Sequence, residues 1–256
     1  MTKKNFYFCD LDIELQIYKN IAIFMSKFIS LINNVLSVFY PDLCVSCQQV
    51  LQQNEKHLCL DCMLHLPETN YHLDHSNPLT LLFAGRVPVK ETASLLFFRK
   101  GTHTQHILHS LKYRGNKEIG AFLGEYYGRK LAESPLYQDI DLIIPIPLHP
   151  KKLKKRGYNQ SEWIAKGLSA GMNVPYNTSL LVRTAFTDTQ TKKGRYSRWE
   201  NVKSVFAVTD HDTLRGKHIL ICDDVLTTGA PMEAAISKLT ENGDVTVSVV
   251  TLACAG

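Results

Sequence analysis

Apolar runs alternate with amphipathic stretches from about residue 94 to the end of the chain. The apolar runs predict strands at 94–98, 141–147, 217–222 and 245–253, with shorter strands near 180–183 and 204–208. Helical spacing of apolar positions predicts helices at 103–114, 119–133, 158–171 and 231–241. Apolar strands separated by helices are typical of a mostly parallel sheet with helices on both faces, so the predicted fold class is α/β.

A different pattern occupies residues 1–40, where apolar residues recur every three or four positions. The stripe consists of Ile17, Ile21, Phe24, Phe28, Leu31, Val35 and Val38, and it predicts an amphipathic helical segment. Polar residues interrupt it too often for a membrane-spanning helix of ~20 apolar residues. Two interpretations remain: the stripe packs against protein, or residues 13–40 make a peripheral membrane contact. The scarcity of flanking lysines favours packing.

The composition fits an ordinary globular protein of 256 residues, with 45% hydrophobic and 21% charged residues. This length accommodates one full-sized α/β domain and a small appendage. We expect a helical segment at 1–40, a metal module at 41–66, a linker at 67–85 and the main domain at 86–256. The start of the chain lacks the uninterrupted apolar core of a secretory signal, so a cytoplasmic location is expected.

Four cysteines form two C-x2-C pairs separated by a short polar stretch. Cys44, Cys47, Cys59 and Cys62 have the spacing of a structural zinc site. Disulfides are disfavoured in a reducing compartment, and so short a stretch needs a metal to hold it folded. Four thiolates leave no open coordination position, so the zinc is expected to stabilise the module without catalysing a reaction. His57 and His65 are alternative ligands.

The stretch "ILICDDVLTTGA" places two carboxylates, Asp223 and Asp224, at the end of an apolar strand. A Thr-Thr-Gly turn and a predicted helix follow, and the amino end of a helix favours a phosphate. Two acids beside a phosphate would repel it unless they hold sugar hydroxyls, with Mg²⁺ balancing the charge. The stretch therefore indicates a ligand that combines a sugar with a phosphate.

The same stretch resembles the 5-phosphoribosyl 1-diphosphate (PRPP) signature of type I phosphoribosyltransferases, and the wider pattern resembles the ComF family of competence-associated proteins. The resemblance extends from the zinc module almost to the end of the chain. It rests on "PDLCVSC" and "CLDC", "LKYRG", "PIPLHPKKLKKRGYNQS" and "LVRTAFTDTQTKKGRYSRWENVKSVF" in addition to the signature. It implies a type I phosphoribosyltransferase fold with a small N-terminal zinc module.

The family implies a role for each residue of the signature. Asp223 and Asp224 would hold the ribose hydroxyls of PRPP, with Mg²⁺ accompanying the ligand. The 5-phosphate would bind to Thr227, Thr228, Gly229 and Ala230. Pro231 departs from the Thr or Ser usual at its position and removes phosphate donors, so weaker phosphate binding is expected.

Basic residues cluster in two of the matching stretches. The first follows a predicted strand end where the family has its diphosphate-contacting loop, and it supplies the diphosphate candidates His149, Lys151 and Arg156. Gln190 and Arg198 would line a neighbouring loop, in a region that also resembles the acceptor side of amidophosphoribosyltransferases. Solvated surface is the commoner role of such charge runs.

Two functions follow from the resemblance. The first is a PRPP- or phosphoribose-binding protein of DNA uptake and natural transformation, in which the basic loops bind single-stranded DNA. Tyr158, Tyr196 and Trp199 are interleaved with the cations and could stack on bases or pack internally. The alternative is a phosphoribosyltransferase that moves phosphoribose to an unknown acceptor and releases diphosphate. A zinc adaptor alone would leave the paired acids unexplained.

Overall fold

A computed structural model describes residues 41–113, 115–184 and 205–255, together with residues 18, 19, 21, 24 and 25. Those five residues are helical. The remainder of the helical segment predicted for residues 1–40 lies outside the described residues. Among the described helices, none combines the length and apolar character needed to cross a membrane.

The chain divides into two compact units, one of Met1–Cys44 and Gln48–Cys59 and the other of Val45–Cys47 and Leu60–Gly256. In the first unit, an antiparallel bridge between Leu43 and Val50 closes a tight turn. The Cys44 amide donates to the Gln49 carbonyl at 2.8 Å, and the Gln48 amide donates back to the Cys44 carbonyl at 2.9 Å. Gln48 has a positive φ of 63°, which allows the chain to reverse within so few residues.

The second unit contains a four-stranded parallel sheet in the order β1-β6-β5-β2. Its strands are β1 (Thr92–Phe98), β2 (Leu142–Pro145), β5 (His218–Leu226) and β6 (Thr246–Ala255). A separate antiparallel pair consists of β3 (Leu181–Arg183) and β4 (Phe206–Val208). All six predicted strands are confirmed, and the parallel order agrees with the α/β prediction.

Within the described residues of the second unit, the α-helices are α1 (Leu60–Leu64), α2 (His103–Tyr113), α3 (Glu118–Glu133), α4 (Pro150–Arg156), α5 (Gln160–Met172) and α6 (Ala230–Leu239). The four predicted helices are confirmed. The basic run, however, forms the short helix α4 rather than the loop that we expected. Its first residue is Pro150, which suits the opening turn of a helix, and Gly157 at φ 80° ends it.

Helices cover both faces of the sheet. Alternate residues of each strand point to opposite faces, so each strand contributes side chains to the packing on both sides. Ile219 and Ile221 belong to a core with Met232 and Ile236 of α6. On the other face Cys222 lies against α5, with its sulfur 3.6 Å from the Ser161 carbonyl. The core between Ile219, Ile221 and α6 also contains Phe83, from the segment predicted as a linker at 67–85.

Close packing of α3 against α5 fixes the position of the α5 amino end. A Cβ at Gly124 would lie 2.5 Å from the Ile164 carbonyl oxygen, and one at Gly167 would lie 2.1 Å from the Ala121 carbonyl oxygen. No side chain fits at either position, so the two helix backbones meet directly. The first turn of α5 is thereby held beside the carboxyl end of β5, where the candidate site lies.

Candidate functional site

The paired acids lie at the carboxyl edge of the parallel sheet, where ligands of open α/β folds bind. Asp223 and Asp224 are the sixth and seventh residues of β5, which continues to Leu226. The predicted strand end at residue 222 was therefore too early. Asp223 still pairs with Thr251 of β6, so the sheet itself fixes the backbone that carries the acids.

Asp223 is half-buried, and its carboxylate is held by two donors. Ser161 Oγ donates to Asp223 Oδ1 at 2.7 Å, and the Asp224 amide donates to the same oxygen at 2.8 Å. Burial and the neighbouring charge of Asp224 raise the pKa of Asp223 to about 7, although the hydrogen bond from Ser161 opposes the rise. An acid with so high a pKa is typical of a functional site.

Asp224 is buried and forms an ion pair with a lysine at the end of α2. Lys112 Nζ lies 3.0 Å from Asp224 Oδ1, and the lysine side chain is only 24% exposed. A third charged group, Arg183 at the end of β3, is half-buried. Burial lowers the pKa of the Arg183 guanidinium, while the charge of Asp223 raises it. Cations from two different elements therefore face the paired acids.

The loop after β5 leads directly into α6. Thr227 and Thr228 are exposed, whereas Gly229 is buried with φ at 74°. A Cβ at Gly229 would meet the Phe83 ring at 3.3 Å, so both the backbone angle and the available space favour glycine. The Ala230 amide donates to Thr228 Oγ1 at 3.4 Å, and Pro231 follows within the first helical turn. The loop presents hydroxyls and amides at the positive end of the helix.

The diphosphate candidates of the first basic stretch have different surroundings. His149 caps α4 by accepting from the Lys151 amide at 3.1 Å, and Lys151 is exposed. Arg156 donates to Gln160 Oε1 at 2.7 Å, and its guanidinium lies 5.3 Å from the centre of the Tyr113 ring. Gln190 and Arg198 lie outside the described residues.

The aromatic residues near the cations also differ in their surroundings. The Tyr158 hydroxyl donates to the Leu111 carbonyl, so this ring has a packing role. Tyr113 is 60% exposed and is flanked by Arg156 and by His109, whose ring centre is 4.8 Å away. Tyr196 and Trp199 lie outside the described residues.

The four predicted metal ligands come together. One ligand atom of each of Cys44, Cys47, Cys59 and Cys62 lies within 4.8 Å of the others. Sulfurs that share one tetrahedral zinc lie about 3.8 Å apart, given a Zn–S length of ~2.3 Å, so the spacing fits this metal. Three of the four residues are buried. Neither His57 nor His65 belongs to the cluster.

Sequence reasoning missed three polar or charged residues near the paired acids, Lys112, Ser161 and Arg183. All three lie inside stretches that carry the family resemblance, but none had been given a role. The signal for Ser161 was its position after Asn159, which caps α5 by accepting from the Ser161 amide at 3.3 Å. Lys112 gave no comparable signal, because its partner is more than a hundred residues away in sequence.

Comparisons with known proteins found relatives that are named for DNA utilization or competence. No protein-family model matches it. The DNA utilization protein YhgH of Shigella flexneri is 26% identical over 217 residues, which cover 84% of this chain and 91% of that protein. Competence protein F of Haemophilus influenzae is 31% identical over 39% of this chain and 43% of its own. Competence protein ComFC of Bacillus subtilis is 30% identical over 53% of both chains.

The chain is a homologue of the ComF and YhgH proteins. This ComF homologue also has the α/β class predicted from its sequence, a parallel sheet with helices on both faces, and a four-cysteine cluster near its amino end. Among solved structures it is similar to the glutamine PRPP amidotransferase of B. subtilis. The TM-score is 0.38 and the identity 16%, over 56% of this chain and 30% of that one. A hypoxanthine phosphoribosyltransferase of Staphylococcus aureus gives a TM-score of 0.32 at 14% identity, over 53% and 62% of the two chains.

Proposed function

We propose that this ComF homologue binds PRPP, or another phosphorylated ribose, at the carboxyl edge of its sheet and acts in DNA uptake during natural transformation. The observation that carries the proposal is the paired acids Asp223 and Asp224. They are adjacent, Asp224 is buried and Asp223 half-buried, and the pKa of Asp223 is raised to about 7. A protein keeps such an arrangement at a cost in stability, and a ligand that donates hydrogen bonds to both carboxylates would offset that cost.

Each part of the site has a role in this proposal. The ribose 2- and 3-hydroxyls donate to Asp223 and Asp224, and the 5-phosphate accepts from the hydroxyls and amides of the loop from Thr227 to Ala230. Lys151 and Arg156 at α4, with His149, contact the diphosphate. The family resemblance assigns Gln190 and Arg198, which lie outside the described residues, to the same ligand. Mg²⁺ suits oxygen ligands of this kind and would neutralise the diphosphate when the ligand is bound.

Single-stranded DNA is the proposed macromolecular partner. The exposed face of α4 carries Lys151, Lys152, Lys154 and Lys155, which can neutralise a phosphate backbone. The exposed Tyr113 ring beside Arg156 offers a surface on which a base could stack. Binding is expected to weaken steeply with salt, and a fluorescence anisotropy titration of a labelled oligonucleotide at several salt concentrations tests this.

Phosphoribosyl transfer is the alternative function, and it would use the same residues. Transfers of this kind depend on positioning and on stabilising charge at the leaving diphosphate, so they need no nucleophilic side chain. Release of diphosphate from PRPP only after an acceptor is added would identify the enzyme. PRPP binding without any such release would favour the binding protein.

Calorimetric titration of PRPP with Mg²⁺ tests the proposed ligand. The variant Asp223→Asn, Asp224→Asn should lose at least ~100-fold in affinity, because neutral amides cannot replace two buried acceptors of charged hydrogen bonds. The matched control is Asp139→Asn, Asp141→Asn at the opposite edge of the sheet, which removes the same charge and should leave affinity unchanged. Equal affinities for the wild type and the first variant would overturn the proposal.

We further propose that the four-cysteine cluster holds structural zinc. The sulfur spacing and the burial of three ligands support this metal. Purified protein should contain about one zinc per chain, as measured by elemental analysis. Cys59→Ser should reduce that content, whereas Cys222→Ser, which removes a buried cysteine outside the cluster, should not. A metal content dominated by iron would contradict the assignment.

We also propose that the chain has four parts. They are a helical segment at 1–40, a zinc module at 41–66, a linker at 67–85 and a phosphoribosyl-binding domain at 86–256. A cytoplasmic location is part of the same proposal, with residues 13–40 packing on protein or touching a membrane surface. Vesicle co-sedimentation of the full chain, compared with a version that begins at residue 41, distinguishes these two roles.

A further inference from the structure

Lys112 is in direct contact with an acid that the proposed function assigns to the ribose. Its ammonium lies 3.0 Å from Asp224 Oδ1, and the side chains of the lysine and the acid are 24% and 13% exposed. Partial burial strengthens such a pair, because water screens the two charges less than at the surface. Within the described part of the chain, Lys112 is the only residue that forms an ion pair with either acid.

Three connections fix this part of α2, so the backbone that carries Lys112 is held in place beside Asp224. Leu108 and Leu111 of the last helical turns are buried in the core. The Leu111 carbonyl accepts from the Tyr158 hydroxyl, and the Tyr113 ring lies against Arg156. The residues on both sides of Lys112 therefore contact the segment between the end of α4 and the start of α5.

The charge balance of the site follows from this contact. Two ionised carboxylates beside a phosphate would give strong repulsion, which in many sugar-phosphate sites a divalent cation relieves. Here Lys112 already neutralises one carboxylate. Hydroxyls of a ribose can then donate to the remaining carboxylate oxygens while the lysine stays in place.

We propose that Lys112 is a built-in counter-cation that allows the acid pair to bind a ribose 5-phosphate group without a divalent metal. The inference rests on the proposed function and narrows its ligand class. A ribose 5-phosphate group without diphosphate, as in a product or a nucleoside monophosphate, binds independently of Mg²⁺. Only the diphosphate of PRPP calls for the metal.

Calorimetric titration of ribose 5-phosphate tests the inference, in EDTA and in excess Mg²⁺. The wild-type affinity should change less than about threefold between the two conditions. Lys112→Met keeps the length of the side chain and removes the charge, and it should weaken binding roughly tenfold in EDTA. Added Mg²⁺ should restore part of that loss. Lys112→Arg should retain metal-independent binding, because it keeps the positive charge.

A matched control is available at the far end of α6. Lys238 is 26% exposed and pairs at 3.0 Å with Glu241, which is 55% exposed, so Lys238→Met removes an equally exposed lysine and its ion pair away from the site. Lys238→Met should leave the affinity for ribose 5-phosphate unchanged both in EDTA and in Mg²⁺. Thermal melts of all variants identify any that fail to fold. Wild-type binding that requires Mg²⁺, or equal binding by Lys112→Met in EDTA, overturns the inference alone. If the wild type binds neither ribose 5-phosphate nor PRPP with Mg²⁺, the proposed function fails as well.

Discussion

The two edges of the parallel sheet both carry charged side chains, but in opposite arrangements. At the carboxyl edge, Asp223 and Asp224 are adjacent and at least partly buried, and the pKa of Asp223 is raised to about 7. At the amino edge, Asp139 is 59% exposed and pairs with Lys90 at 2.5 Å, which lowers the pKa of the Asp139 carboxyl. Ionisation of both Asp223 and Asp224 is unfavourable, because the two charges are adjacent and partly buried. Lys90 and Asp139 form an ordinary solvated ion pair.

The amino edge also has an arrangement that resembles a catalytic site. His218 Nε2 lies 2.8 Å from Ser248 Oγ, and His218 Nδ1 lies 3.1 Å from Asp139 Oδ1, next to an open depression of about 450 Å³. The order Ser–His–Asp is that of a hydrolytic triad. Ser248 is fully buried, however, and burial lowers the pKa of His218. No substrate can reach the buried Ser248 hydroxyl. The two edges of the sheet therefore differ more in whether a ligand can reach their polar side chains than in the types of residue they carry.

The largest expected difference between the two edges is the change in the free energy of unfolding when an aspartate at each edge is replaced. Asp223 has a raised pKa in the folded protein, so between about pH 4 and 7 the native state binds more protons than the unfolded state, and stability falls as pH rises. Asp223→Asn removes this penalty and should stabilise the unliganded protein at pH 8, on the order of 2 kcal/mol after allowance for screening.

Asp139→Asn should have the opposite sign. The lowered pKa of Asp139 contributes stability that is present above the unfolded pKa and lost as pH falls through the folded value. Because the pair is exposed, the loss at pH 8 should be below about 1 kcal/mol. Urea denaturation from pH 4 to 8 measures both variants. If Asp223→Asn destabilised the protein at pH 8, the two substitutions would have the same sign and the expected difference between the edges would be wrong.

Two glycines allow the edges to be compared at the backbone. Gly229 and Gly216 have φ values of 74° and 69°, so alanine should cost about 1 kcal/mol of stability at either position. Gly229→Ala also places a Cβ 3.3 Å from the Phe83 ring and should shift the loop from Thr227 to Ala230, weakening ribose 5-phosphate binding roughly tenfold. Gly216→Ala has open space around its Cβ and should leave affinity unchanged. Equal affinity losses in calorimetry would mean that the loop has no special role.

The smallest expected contrast concerns two buried serines. Ser161 donates to Asp223, and Ser248 contacts His218. Ser161→Ala removes a hydrogen bond to a carboxylate, so the pKa of Asp223 should rise further and ribose 5-phosphate binding at pH 7 should weaken about threefold. Ser248→Ala should not change that affinity. Calorimetry at pH 7 and pH 8.5 distinguishes a pKa effect, which fades at the higher pH, from a general structural one.

Local pattern was sufficient to predict much of the fold and part of the site. The strands, the four main helices and the four-cysteine cluster follow from apolar periodicity and from the spacing of two short pairs, which are local features of the chain. The short helix α4 was missed because its cations formed no apolar stripe, and its start depends on the proline at position 150.

The long-range contacts of the site could not be predicted in the same way. Lys112 meets Asp224, and Ser161 meets Asp223, only after α2 and α5 have packed at the carboxyl edge. The position of α5 depends on its packing against α3 through Gly124 and Gly167, and the spacing of these glycines in the sequence does not reveal which residues they contact. The raised pKa of Asp223 is a property of that assembled environment.

A crystal structure of the protein with ribose 5-phosphate in EDTA tests the central claim most directly. The account predicts both ribose hydroxyls within hydrogen-bonding distance of Asp223 and Asp224, the phosphate at the loop from Thr227 to Ala230, and Lys112 still paired with Asp224. A ligand bound instead at the amino edge beside Lys90 and His218, or on the exposed face of α4, would contradict it.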